Sequence, residues 1–110
     1  MALPHAAPGE KVPLPTLSIS APDAKTRALV KTDGFETVHL VLRAGTRIAP
    51  HAVEGHITLH GLEGAVDLAL EGRRLRLEPG DWLYLEPGET HGLEAAEDSA
   101  LLLTILFARR

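Results

Sequence analysis

At 110 residues the chain has room for one hydrophobic core and predicts a single domain. An apolar share of 45% and a charged share of 24% are those of a folded globular protein and exclude a disordered or fibrous chain. The net charge of −4 comes with scattered bases, and the cluster Arg73, Arg74 and Arg76 is balanced by Glu71 and Glu78, which excludes the coherent basic surface that nucleic acid requires.

The chain lacks cysteine, so disulfides, thiolate metal sites and cysteine nucleophiles drop out together, and any metal must be held by His, Asp or Glu. It also lacks Asn and Gln and has a single Met, a composition that predicts a thermophilic source.

Residues 1–24 hold five of the eight prolines. Each proline fixes its own φ and pushes the preceding residue out of helix, so this stretch predicts an extended arm with Leu14, Leu17 and Ile19 as apolar anchors. The opening MALPHAAPGEKVPLP has no basic stretch followed by an apolar helix, and no later apolar run approaches the ~20 residues of a membrane span. A cytoplasmic location is the expectation.

Residues 25–110 read as the barrel domain, in which short β-branched and Leu-rich runs are separated by Gly, Pro and Asp. Strands are predicted at 26–31, 35–43, 56–62, 65–71, 73–78, 82–86 and 99–107. Turns fall at Asp33-Gly34, Ala44-Gly45, Glu63-Gly64, Glu71-Gly72, Pro79-Gly80 and Pro87-Gly88. The class is all-β, and the spacing of the turns predicts a sandwich or barrel. Val66, Leu68 and Leu70 alternate with Ala65, Asp67 and Ala69, giving one buried face. Ala100 to Phe107 is apolar on both faces, which predicts a central strand or one covered by a second subunit. The chain carries no repeat, no phosphate-binding glycine loop and no nucleophile elbow.

Five of the six histidines lie between residues 39 and 91, three of them in the stretch His51, His56 and His60. Around them stand Gly45, separated from His51 by five residues; Gly64; and the segment Gly80 to His91, which contains Gly88. In these residues the chain resembles the cupin superfamily over roughly residues 35–107. Gly45, His51 and Gly64 fit the first motif of that family, with Val53 at the second His position and Ile57 at the Glu position. Gly80, Gly88 and His91 fit the second motif, with Glu86 in place of Pro. The resemblance implies a double-stranded β-helix (jelly-roll) barrel, commonly dimeric, with one site for Zn, Fe, Mn, Ni or Cu.

His56 and His60 are four apart on a predicted strand and share a face, opposite Ile57 and Leu59. A shortened loop after His51, or a bulge, would swing them toward a cavity shared with His51 and His91. The candidate metal ligands are therefore His51, His56, His60 and His91; Glu54 could substitute as an oxygen ligand but reads first as a solvated loop carboxylate. His39 reads as a core or surface residue and His5 as solvated. Trp82 and Tyr84 share one face of the strand before His91 and could wall a ligand or pack a dimer. The function expected is a small cupin that holds a divalent metal through this cluster, binds or transforms a small molecule, and forms a homodimer. A metal-free ligand-binding or sensor module and an oligomeric scaffold are the alternatives, and no catalytic acid–base pair is identifiable.

Overall fold

The structure, a computed structural model, describes residues 5–107; residues 1–4 of the expected arm and the last three of the expected barrel domain lie outside them. Among the described residues the chain forms β1 (Arg27–Lys31), β2 (Phe35–Leu42), β3 (Arg47–His51), β4 (Gly55–Glu63), β5 (Val66–Leu70), β6 (Arg73–Leu77), β7 (Trp82–Leu85), β8 (His91–Ala95) and β9 (Ser99–Phe107). They make two antiparallel sheets, five strands in the order β1-β2-β9-β4-β7 and four in the order β3-β8-β5-β6. From β2 onward the chain passes repeatedly from one sheet to the other, the wrapping of a jelly roll. No helix among the described residues is long and apolar enough to cross a membrane.

The sequence missed β3 and β8. Pro50 interrupts the run of β3, and β8 reads HGLEA, with a glycine and a glutamate where strand formers are expected. Two copies of one turn frame β7. In Glu78-Pro79-Gly80-Asp81 and Glu86-Pro87-Gly88-Glu89 the fourth backbone N–H donates to the first carbonyl, at 2.9 and 3.2 Å. The fourth residue's carboxylate in turn accepts from the first N–H, at 2.8 and 3.1 Å. Pro in second place and a left-handed Gly in third (φ 93° and 81°) are what this turn demands.

The core lies between the sheets. Leu59 and Leu101 enter from the larger sheet and Val66 and Leu68 from the smaller, all essentially without exposure; burying each such side chain contributes about 1.5–3 kcal/mol. Ser99, also fully buried, keeps its hydroxyl satisfied by accepting from the Ala65 N–H at 3.0 Å and donating to the Glu97 carbonyl at 2.6 Å.

The two outer faces differ. On the smaller sheet one cross-strand row reads Arg47, Glu94, Asp67, Arg76, with ion pairs Arg47–Glu94 at 3.8 Å and Arg76–Asp67 at 2.9 Å. On the larger sheet three successive rows read Phe35, Leu106, His56; then Val30, Thr37, Thr104, Thr58, Tyr84; then Arg27, His39, Leu102, His60, Trp82.

Residues 5–26 contain no strand, only a 3-10 turn at Leu14–Leu17. The Ala6 N–H donates to the Leu29 carbonyl at 2.7 Å. At the other end the Ser18 hydroxyl and the Ile19 N–H donate to the Glu63 carboxylate at 3.0 and 2.7 Å. Since Leu29 follows Arg27 on β1 and Glu63 ends β4, the chain between these anchors crosses the outside of β2 and β9. That crossing explains why His39 and Ala100 point outward yet are only 2% and 0% exposed.

Candidate functional site

His51 and His91 are cross-strand partners on β3 and β8. His91 shares its strand face with the core residues Leu93 and Ala95 and pairs on its other side with Leu70, so it points between the sheets. Ordinary alternation would put His51 on the opposite face from Ile48. A bulge corrects this: Ile48 faces Leu93 and His51 faces His91, so β3 spends three steps where β8 spends two. The loop after His51 is fastened to the turn before His91, the Gly88 N–H donating to the Val53 carbonyl at 2.9 Å.

The two rings lie 4.7 Å apart between centroids at 49°. His91 is buried and His51 exposed, so the pair runs from the interior to solvent. Each ring is anchored in the same way. Nδ1 of His51 lies 3.1 Å from the Ala49 carbonyl, and Nδ1 of His91 lies 3.0 Å from the Glu89 carbonyl. A carbonyl oxygen only accepts, so both Nδ1 atoms carry the hydrogen, and in the neutral rings both Nε2 atoms keep a lone pair. Such a pair can accept two hydrogen bonds from a ligand, take up a proton, or offer two nitrogens to a metal ion.

The fold brings His51 and His91 together and does not bring His56 and His60 to them. Ile57 and Leu59 are buried in the core, so His56 and His60 occupy the outer face of β4. The bulge needed to redirect them is absent at that end of the strand; the irregularity of β4 lies between Gly61 and Glu63. Val53 packs against the core and Ile57 is part of it, and Glu54 is exposed on the loop. No cluster of three or more His, Cys, Asp or Glu suited to a metal ion occurs among the described residues. His39 is buried in the covered part of the outer face and His5 is exposed.

Sequence reasoning missed the two anchoring carbonyls, which leave no mark in side-chain identity, and the bulge. Gly92 is a trace of the bulge: a Cβ there would lie 3.1 Å from the Ile48 carbonyl and 3.2 Å from the Pro50 ring. A shallow groove of about 370 Å³ on the outside of the smaller sheet, lined by Arg47, Asp67, Ala69, Arg74, Gly92 and Glu94 among others, contains neither histidine of the pair.

Residues 38–107 match the family described as the Cupin domain. No curated protein matches the chain in sequence. Among solved structures, a cupin superfamily protein from Desulfitobacterium hafniense is 16% identical, with 98% of this chain and 100% of that one covered and a TM-score of 0.81. KdgF from Halomonas sp. is 28% identical over 77% of this chain and 80% of its own, with a TM-score of 0.66. The polyketide cyclase RemF from Streptomyces resistomycificus is 24% identical over 76% of this chain and 65% of its own, with a TM-score of 0.68.

Proposed function

The chain belongs to the cupin domain family, and from that premise we propose that it is a small-molecule-binding cupin whose polar recognition point is the His51–His91 pair. The observation that carries this reading is the shared anchoring of Nδ1 on the Ala49 and Glu89 carbonyls, which leaves two imidazole acceptors side by side. Such a pair suits a ligand presenting hydroxyl or acid hydrogens on one edge. Leu70 and Val53, apolar and next to the pair in register and sequence, suit a hydrocarbon remainder.

A resident Zn, Fe, Mn, Ni or Cu ion fits these residues poorly. A catalytic site of that kind takes three protein ligands and keeps one open position. Here the nitrogens number two, Val53 and Ile57 stand at the other ligand positions, and His56 and His60 are on the far side of β4. The reading is therefore the metal-free one.

Metal content of untagged, gently dialysed protein, followed by zinc and nickel titration, tests it. The expected result is substoichiometric metal and no rise in melting temperature, with at least one compound from a panel of small hydroxy and keto acids stabilising the wild type. A ligand at about a hundred times its Kd adds about 2.7 kcal/mol, and that gain disappears in His91→Ala. Stoichiometric metal lost in both His51→Ala and His91→Ala overturns the reading in favour of a metal centre.

A further inference from the structure

The register of the smaller sheet carries the histidine row on by two strands. His51 pairs with His91, His91 with Leu70, and Leu70 with Arg73, so the four residues cross the sheet in one line where β3 and β5 end and β8 and β6 begin. Arg73 belongs to the inward-facing set of β6. Its alternates Leu75 and Leu77 pair with the core residues Leu68 and Val66, whereas Arg74 and Arg76 turn outward to Glu94 and Asp67. Arg43, Arg47, Arg74 and Arg76 each meet a carboxylate at 3.8 Å or less. Arg73 makes no ion pair and no side-chain hydrogen bond among the described residues. Building on the reading of the His51–His91 pair given above, we infer that Arg73 is the specificity residue of that site and that the ligand is a hydroxy acid, its carboxylate on Arg73 and its hydroxyl, several carbons away, on the histidines.

The first argument is charge. An apolar side chain at position 73 would extend the core set of β6, and the guanidinium there has no partner of its own. Its planar fork matches both oxygens of a carboxylate. Glu71, in the connecting turn, is exposed and does not engage it. At this end the inner row of the larger sheet reads Leu85, Ile57, Ile105, Glu36. Strand β6 runs into β7 through the Glu78 to Asp81 turn, so Arg73 looks across toward Leu85, and the carboxylate of Glu36 stands at the other side of the row. The second argument is spacing. With strands about 4.8 Å apart, His91 and Arg73 stand about 10 Å apart with Leu70 midway. A hydrogen bond of about 2.9 Å at each end, partly along the row, leaves about 5–7 Å between the ligand's polar ends, the length of a four- or five-carbon hydroxy acid. His51 and Arg73 are exposed and Leu70 is half-buried, so the row lies along an open rim and Leu70 meets the ligand's hydrocarbon chain.

Carbon-13 NMR of the full chain, following the histidine Cε1–H signals during titration, is the test. The probes are 5-hydroxypentanoate, pentane-1,5-diol, which lacks the carboxylate, and lactate, whose hydroxyl adjoins its carboxylate and cannot span the row. The expected result is that 5-hydroxypentanoate shifts the His51 and His91 signals and binds more tightly than either of the others. Arg73→Gln weakens 5-hydroxypentanoate at least about tenfold, the loss of a charge-assisted bond, and leaves the diol unchanged. Arg73→Lys restores part of the loss, since an ammonium keeps the charge without the fork. Arg74→Gln, the next residue on the opposite face, removes the same charge and changes nothing. An equal loss in Arg73→Gln and Arg74→Gln overturns the inference in favour of net charge. A diol or lactate that binds the wild type as tightly as 5-hydroxypentanoate also overturns it, while leaving the histidine reading in place. Acid binding that needs Arg73 but moves neither histidine signal, or no shift with any of the three compounds, overturns both.

Discussion

The two sheets present the same kind of inner face and opposite kinds of outer face. The four-stranded sheet is written for water: Arg47, Glu94, Asp67 and Arg76 stand in one row, their charges paired at the surface. The five-stranded sheet has no such row. Its outside is half covered by the chain's own N-terminal segment, fastened through Glu63, and half bare with Trp82, Tyr84, Phe35 and Leu106. Apolar residues inside a sandwich specify the fold; those collected on one outer face set that face apart from the water-facing one. The position of His56 and His60 on the second kind of surface, and of His51 and His91 between the sheets, separates two histidine pairs that lie close together in sequence.

The largest expected effect tests whether the difference is confined to the outside. Leu68 lies beneath the charged face and Leu101 beneath the bare one, both without exposure. Leu68→Ala and Leu101→Ala should each lose about 2–5 kcal/mol in urea unfolding. A cost at Leu101 well above that range breaks the comparison, because it means that packing on the bare face reaches the core.

A smaller effect sharpens the covered half. Burial, and then the neighbouring Arg27, push the His39 pKa below its ordinary 6.5, while Glu63 opposes them. The folded protein thus holds His39 neutral where the unfolded chain takes up a proton. Stability is intact above the unfolded value and falls as pH drops through it toward the lower folded one. Melting temperature followed from about pH 8 to about pH 5 should decline, and His39→Leu should flatten that decline. An unchanged slope in the variant assigns the pH dependence to other groups.

The smallest effect belongs to the charged face. The Arg76 hydrogen bond, with the charges of Arg76 and Arg74, holds the Asp67 carboxyl below its ordinary range. The pair's contribution is therefore present throughout neutral pH and lost only as pH falls through that lowered value. Because both groups meet solvent, Arg76→Ala should leave the melting curve at pH 7 within the scatter of ordinary surface substitutions. A clear loss there would mean that this face, too, is covered by something.

Much of this was legible in the chain. Alternation and the Pro-Gly turns located seven strands, the two-sided apolarity of Ala100 to Phe107 marked β9 as central or covered by a second subunit, of which the sheet order shows the first, and the spacing of Gly45, His51, Gly80, Gly88 and His91 pointed to the histidine pair that forms. Strands β3 and β8 were hidden because Pro50 and Gly92 read as breakers in isolation. Their fitness is mutual: the proline sits where the ladder is already interrupted, and the glycine gives it room. The separation of His56 and His60 from His51 followed from parity alone once β4 was known to run regularly past them, and regularity is a property of pairing, not of local composition.

The bulge of β3 acts as a frameshift in side-chain direction. Upstream of Ala49 one set of alternate residues points inward; downstream the other set does, and His51 belongs to the second. The strand can slip into this second frame only because β8 offers bare backbone at Gly92, under Ile48 and Pro50. The spacing of the two imidazoles is thus set by a position that has no side chain, on the reverse of the strand from the site it governs.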